Sequence, residues 1–257
     1  MEHNDAQKNI DKLKIPLELK NKLLEFTTQL RHLYEKDLIS IIAYGSSLTD
    51  DFNEKTSNVN LLVIYSDLNI TDLNRVNAIA QKWLKKYRFT PRFLSKRNLI
   101  NSVEYFQIDL FEMKDSYAVL CGEDVLYSLK IIPKKMLWQI SYELKAMRMR
   151  IKQQYWTAAD NEDSMKQILK TRFTSIIHLS RALLFIKGKY TPISHKEIMN
   201  TAVTEFGLNA EFISEMFLLK INPKAISKKK LIQAFVSMLA TIRILDTLAD
   251  SAEAANE

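Results

Sequence analysis

Two short apolar runs, at residues 38–44 and 59–65, constrain the fold of this chain more than any other feature. Both are rich in β-branched residues and apolar at nearly every position, which is typical of strands covered on both faces of a sheet. The first run ends in a Gly-Ser-Ser sequence at 45–47, and the second is entered through Asn58 and Asn60. Because alternate residues of a strand share a face, the sequence predicts that these two asparagines point to the same side of the sheet.

The remainder of the first half predicts a mixed α/β unit. Apolar residues recur at helical spacing from Pro16 to about residue 36, and a helix capped by residue 69 or 71 is expected to reach about residue 87. A short strand at 92–94 and one or two helical turns at 96–103 come next. The sequence Phe-Gln-Ile-Asp-Leu-Phe at 106–111 then predicts a further strand.

After residue 132 the pattern is helical only. Five helices are predicted, at about 134–159, 164–187, 195–206, 211–219 and 227–250, with glycine or proline at plausible ends. The predicted fold class is therefore α+β, with a mixed sheet and flanking helices over residues 1–132 and an all-α helical bundle over residues 133–257.

Composition places the chain among globular proteins, with 47% hydrophobic and 26% charged residues. Its single cysteine, Cys121, excludes an intrachain disulfide and is compatible with a reducing cytosol. The N-terminus shows no signal-peptide core, and no apolar run approaches the roughly 18 residues of a membrane span, so we expect a cytoplasmic protein that does not bind a membrane. The net charge of +7 favours anionic partners such as a nucleotide or RNA, although an excess of this size is also common in proteins that bind neither. A nucleotide is the expected anionic partner, and a nucleic acid is the less favoured one.

The Gly-Ser turn and the asparagine pair together resemble the signature of the nucleotidyltransferase superfamily, in its minimal, polymerase-β-like form. In that signature a Gly-Ser turn follows one strand, and an Asp-x-Asp pair enters the next. The resemblance covers residues 38–132, where Gly-Glu-Asp at 122–124 also resembles the end of such a domain. It implies a nucleotide-binding turn at Gly45, Ser46 and Ser47, whose backbone N–H groups and hydroxyls can donate to phosphate oxygens.

The resemblance also implies a metal site, and here the chain departs from the family. In the family two aspartates and a third carboxylate hold divalent cations; Asn58 and Asn60 occupy the paired positions, and Asp109 fits the third. Each Asp-to-Asn change removes a negative charge, whereas Mg²⁺ prefers carboxylates and phosphates. Because nucleotidyl transfer depends on electrostatic stabilisation, we expect impaired catalysis, with Mg²⁺ bound alongside a nucleoside triphosphate or no metal bound at all.

Other carboxylates could replace the missing ligands. Asp50, Asp51 and Glu54 lie between the turn and the second strand, although a solvated acidic loop is the favoured interpretation. Glu112 has the opposite alternation parity to Asp109, so on a strand it is expected to face the other side.

The helical half loosely resembles the HEPN domains that often follow this α/β unit. Arg172 and His178 have about the spacing of the Arg and His used by some HEPN ribonucleases. Six positions place them about 240° apart around one helix, however, so a structural histidine is the favoured interpretation.

Positive charge is concentrated in the helix predicted at 134–159. Lys145, Arg148 and Lys152 share one face by their spacing. This face could bind the phosphates of a nucleotide or RNA, although a solvated helix face is the favoured interpretation.

Three functions remain open from the sequence. The leading hypothesis is a catalytically impaired protein of nucleotidyltransferase fold that binds a nucleotide or a partner protein. The first alternative is slow, metal-dependent nucleotidyl transfer to the hydroxyl of a small molecule or protein. The second is an antitoxin-like or regulatory module that acts through a protein partner or through self-association.

Overall fold

The computed structural model describes residues 2–49, 52–54, 57–66, 81 and 83–254. The chain divides into two compact units, Met1–Ile131 and Ile132–Glu257. The first unit combines a sheet with helices and the second is helical, which confirms the α+β class predicted from the sequence.

The first unit is built on a four-stranded mixed sheet. Its strands are β1 (Leu38–Tyr44), β2 (Val59–Tyr65), β3 (Phe89–Ser95) and β4 (Tyr117–Gly122). The strand order is β3-β2-β1-β4, with β1 antiparallel to both of its neighbours and β2 parallel to β3. The two central strands, β1 and β2, are the apolar runs of the sequence and are buried at most positions, as predicted.

Helices cover both faces of this sheet. They are α1 (Glu2–Asp11), α2 (Leu17–Tyr34), α3 (Lys96–Ser102) and α4 (Gln107–Asp115), and residues 83–87 are also helical. One apolar cluster joins α1 and α2 to alternate residues of the strands, and a second joins α3 and α4 to the residues between them. Asn69 and Thr71, the caps expected for a third helix, lie outside the described residues.

The strand predicted at 106–111 is wrong, because Phe106 is the N-cap of α4 and residues 107–111 form its start. Six residues that alternate apolar and polar fit a strand, but the helix they begin is buried on more than one side, so Ile108, Leu110 and Phe111 are all buried without sharing a single face. The true fourth strand, β4, follows directly after this helix and was not predicted, nor was the N-terminal helix α1.

The second unit contains five α-helices in the described part of the chain, as the sequence predicted. They are α5 (Pro133–Ala158), α6 (Glu162–Ile186), α7 (His195–Phe206), α8 (Ala210–Ile221) and α9 (Lys228–Ala254). The side chains of Asn161 and Asn209 cap α6 and α8 by accepting hydrogen bonds from backbone N–H groups three residues further on.

Among the helices that the structure describes, α9 is the one long and apolar enough to cross a membrane by length and composition. This qualifies the expectation that no segment approaches such a span. A helix in the core of a soluble protein meets the same criterion, and α9 buries Leu231, Met238 and Leu245 inside the second unit. The cytoplasmic location stays a prediction.

The basic face of α5 is partly neutralised inside its own unit. Lys145 lies 3.1 Å from Asp246 and 2.7 Å from Asp250, both on α9, and Arg148 lies 3.0 Å from Asp246. The hydrogen bond to Asp250, followed by that to Asp246, raises the pKa of Lys145 against the lowering effect of burial. Lys145 and Arg148 remain partly exposed, in keeping with the favoured solvated face, and their ion pairs in addition join α5 to α9.

We expect Asp246→Ala to lower the free energy of unfolding by about 2 kcal/mol, because it removes a carboxylate that two cations contact. The Asp246 side chain is only 7% exposed. Lys145 and Arg148 are 46% and 42% exposed and can rehydrate, which keeps the loss below that of a fully buried pair. Urea unfolding measures the change. Asp250→Ala is the matched control, since Asp250 is 56% exposed and should cost less than about 0.5 kcal/mol. Equal losses for the two variants would contradict the bridging role of Asp246.

Candidate functional site

The Gly-Ser turn continues directly from the last residue of β1 and forms a short 3-10 helix, Gly45–Leu48. Gly45 has a positive φ of +76°, a conformation that favours glycine. Its N–H donates to the carbonyl of Ser116 at 2.9 Å, and the carbonyl of Ser47 accepts from the N–H of Lys14 at 2.8 Å. The turn is therefore fastened to two other segments of the first unit.

The two serines of the turn have different environments. Ser47 is fully buried, and its hydroxyl donates to the carbonyl of Tyr44 at 3.4 Å. Ser46 is only partly buried. Of the three predicted nucleotide-binding residues in the turn, Gly45 and Ser46 can thus meet a ligand, whereas Ser47 supports the backbone.

The asparagine pair lies beside this turn. Asn60 pairs with Tyr44 across β1 and β2, and a Cβ added at Gly45 would stand 3.4 Å from Nδ2 of Asn60. Asn58 is exposed and precedes β2 by one residue, so alternation places it on the same side as Asn60. The structure therefore brings the predicted turn and Asn60 together.

Two polar residues of β3 share this side of the sheet. In the parallel pairing of β2 with β3, Thr90 lies opposite Asn60 and Arg92 lies opposite Leu62. Leu62 belongs to the apolar cluster beneath the site, on the same face as Tyr44. The strand next to β2 thus brings a hydroxyl and a guanidinium to this side of the sheet.

Asp109 approaches the site from a helix rather than from the sheet. It lies in the first turn of α4, and its Oδ1 accepts a hydrogen bond from Nη1 of Arg92 at 2.6 Å. The prediction that Glu112 faces away depended on strand alternation and is wrong, because residues three apart on a helix share a face. Both carboxylates act electrostatically on Tyr44 and Arg92.

The electrostatics of the site keep Arg92 charged and Tyr44 neutral. Burial acts to lower the pKa of Arg92, but the hydrogen bond to Asp109 and the nearby Tyr44, Asp109 and Glu112 raise it above its ordinary value. Burial is the main cause that raises the pKa of Tyr44, and the carboxylates of Asp109 and Glu112 add to it. The site therefore presents a permanent cation beside two neutral amides.

The residues that the structure describes at this site do not fit a divalent metal centre. Within the described part of the chain, no group of three or more His, Cys, Asp or Glu side chains is placed to hold a metal ion. Asn58 and Asn60 carry no charge, and Asp109 already pairs with Arg92. Of the alternative ligands, Glu54 is exposed in its loop, and Asp50 and Asp51 lie outside the described residues.

Arg172 and His178 do not converge. Nε of Arg172 donates to Oε1 of Gln154 on α5 at 3.0 Å, whereas the His178 ring packs edge-on against His195 on α7 with centroids 5.6 Å apart. Burial, followed by the charges of His178, Lys220 and Arg181, lowers the pKa of His195 to about 4. His178 thus has the structural environment favoured from the sequence, and the HEPN resemblance stays a prediction.

Sequence reasoning missed Arg92. The strand predicted at 92–94 was correct, but nothing in a single strand indicates which neighbour it pairs with. Polar residues at 90 and 92, two positions apart, were the available signal, since residues two apart on a strand lie on one face.

Comparison with known proteins supports the fold. No family model matches this chain, and no curated protein matches it significantly. Among solved structures it is similar to the spectinomycin adenyltransferase AAD(9) from Enterococcus faecalis, crystallised with ATP and spectinomycin, at a TM-score of 0.58 and 15% identity. The match covers 92% of this chain and 100% of that chain. It confirms the nucleotidyltransferase fold implied by the Gly-Ser turn and the asparagine pair.

Proposed function

We propose that this protein binds a nucleoside triphosphate at the Gly45–Ser46 turn without needing a divalent metal, and that its catalysis is impaired. The observation that carries this proposal is the contrast within one site. Gly45 has a positive φ and no side chain, so a ligand can approach the turn closely, whereas the adjacent positions carry amides and a guanidinium.

Three features support phosphate binding. Gly45 has no side chain between the turn and Asn60, so a ligand can approach the backbone closely. Ser46 is partly exposed and offers a hydroxyl donor. The side-chain amides of Asn58 and Asn60 can donate as well as accept, and donation suits a phosphate oxygen better than a metal ion.

Impaired catalysis follows from the charges. Transfer of a nucleotidyl group requires stabilisation of charge that develops on the phosphates, and metal ions commonly supply it. With Asn at 58 and 60 and with Asp109 paired to Arg92, the described residues offer no comparable set of ligands. Binding can persist under these conditions, because donors to phosphate remain.

We expect a nucleoside triphosphate to raise the thermal unfolding midpoint equally in excess Mg²⁺ and in EDTA. At a ligand concentration 100 times the dissociation constant, the gain in unfolding free energy is about 2.7 kcal/mol. The combined variant Gly45→Val with Ser46→Ala should lose this stabilisation, since it fills the cradle and removes a donor. The matched control is Gly188→Val with Ser251→Ala, which makes the same changes in the second unit, where nothing lies within 4 Å of a Cβ at Gly188.

Two results would oppose the proposal. A midpoint shift that appears only with Mg²⁺ would show that a working metal site survives. No shift with any nucleoside triphosphate would favour an interaction module whose partner is a protein or a second copy of this chain.

The second candidate is slow nucleotidyl transfer to a small-molecule hydroxyl. Its support is the similarity to an adenyltransferase whose structure contains ATP and spectinomycin, across nearly the whole of both chains. In this reaction the acceptor hydroxyl loses its proton to solvent, its oxygen forms a bond to the α-phosphorus, the bond from the α-phosphorus to the bridging oxygen breaks, and pyrophosphate leaves. Metal-dependent pyrophosphate release that Asp109→Ala abolishes would establish this function in place of the first.

A further inference from the structure

We infer that the guanidinium of Arg92 binds the phosphates of the nucleotide in place of a metal ion. Asp109 holds the guanidinium in position in the free protein and releases it when the phosphate binds. This inference rests on the proposed function and names the group that carries it. Asp109 is then a positioning residue and a competitor of the ligand, not a metal ligand.

Arg92 has the required position. It follows Thr90 by two residues on β3, and Thr90 lies directly opposite Asn60. Neighbouring strands are about 4.8 Å apart, and an arginine side chain is long enough to cross that distance. Arg92 also acts electrostatically on Tyr44, the residue that immediately precedes Gly45. Arg92 is thus positioned on the strand next to Asn60 and close to the turn.

Arg92 also has the required chemistry. A guanidinium presents five N–H donors in a planar fork and binds phosphate oxygens through paired hydrogen bonds. It carries a full positive charge at every physiological pH, so it needs no deprotonation or loading step. A metal ion bound beside it would meet a like charge at close range, which disfavours simultaneous occupancy.

The contact with Asp109 leaves room for a ligand. It engages one nitrogen, Nη1, and the Arg92 side chain remains 54% exposed. Asp109 itself is 34% exposed, so water can solvate its carboxylate when the pair separates. An ion pair with this exposure is weak, whereas a triphosphate brings several negative charges to the same cation.

The two roles of Asp109 predict opposite effects of one substitution. If Asp109 competes with the phosphate, Asp109→Asn frees the guanidinium and should tighten nucleotide binding in EDTA by about threefold or more. If Asp109 binds a metal, the same change should weaken binding and do so only in Mg²⁺. The substitution nearly preserves the shape of the side chain, so a change in folding does not confuse the result.

Calorimetric titration with ATP in EDTA tests the inference on the full chain. Arg92→Met should weaken binding at least about tenfold, because a charged donor pair is lost, and Arg92→Lys should recover part of the loss. Arg97→Met is the matched control: it removes the same charge from an exposed position in α3 and should leave the affinity unchanged within about twofold. Unchanged affinity of Arg92→Met, or Mg²⁺-dependent weakening by Asp109→Asn, would overturn the inference.

Inorganic tripolyphosphate separates this inference from the proposed function. If tripolyphosphate binds in an Arg92-dependent manner and no nucleotide binds, the nucleotide function fails and the role of Arg92 stands. If ATP binds in EDTA equally well to the protein and to Arg92→Met, the proposed function stands and the inference fails. If neither ligand binds, both are overturned.

Discussion

Gly122→Ala is expected to lower the free energy of unfolding of the first unit by at least about 3 kcal/mol. Gly122 ends β4 with a φ of +82°, and an added Cβ would stand 2.0 Å from the backbone carbonyl oxygen of Ile39. That oxygen also accepts the N–H of Glu123 at 3.0 Å, so it cannot move away without breaking a hydrogen bond. Chemical denaturation followed by circular dichroism measures the loss.

Gly45→Ala is the matched control within the same unit. Gly45 has a similar positive φ of +76°, but its added Cβ would meet only Nδ2 of Asn60, at the ordinary distance of 3.4 Å. The control therefore carries the left-handed backbone strain, about 1–2 kcal/mol, without the collision. If both alanines cost the same, the close approach of β4 to Ile39 is wrong.

The combined variant Asn58→Asp, Asn60→Asp and Arg92→Gln is expected to create a Mg²⁺ site where the described residues offer none. It adds two negative charges and removes one positive charge beside Asp109, which then no longer pairs with a guanidinium. Oxygen ligands and a high negative charge are what Mg²⁺ selects. Calorimetry with Mg²⁺, or electron paramagnetic resonance with Mn²⁺, should detect binding at millimolar concentrations or below.

The control for this variant retains Arg92. Asn58→Asp with Asn60→Asp alone should bind the ion at least about tenfold more weakly, since the guanidinium pairs with the new carboxylates and repels the cation. Absence of ion binding in the combined variant would contradict the placement of Asn58 and Asn60 as the degenerate ligand pair.

The central strands could be predicted because they are buried on both faces and are therefore apolar at nearly every position. Leu62 faces one apolar cluster and Val63 faces the other, so neither position tolerates a polar side chain and the run is unmistakable. The five helices of the second unit were predictable for a related reason, since in a long segment the apolar residues recur at helical spacing over several turns.

The segment 106–111 could not be decided by the same reasoning. Ile108 and Leu110 satisfy a period of two, and a window of six residues contains less than two helical turns, too few to show that this helix is buried on more than one side. Packing decides between them: α4 buries Met113 and Leu110 in the second apolar cluster. The error in element type carried over to Glu112, which was placed on the wrong face.

The site was predictable in part. Gly45 directly follows β1 and Asn60 lies in β2, the next strand along the chain, so their proximity follows from local order along the chain. Arg92 lies more than 30 positions beyond Asn58, and its proximity depends on the parallel pairing of β2 with β3, which has no local signature. The proximity of Arg92 to the asparagine pair therefore became known only from the three-dimensional structure, which shows that β2 and β3 are neighbours.

The two backbone hydrogen bonds that fasten the Gly-Ser turn have a consequence for affinity. Lys14 holds the turn through the carbonyl of Ser47, and Ser116 holds it through the N–H of Gly45. The entropy of ordering this loop is thus lost when the first unit folds, before any ligand arrives. Under the proposed function, a phosphate would meet a preorganised backbone and more of each contact's energy would be retained as binding affinity, with part of that advantage originating in the segment that carries Lys14.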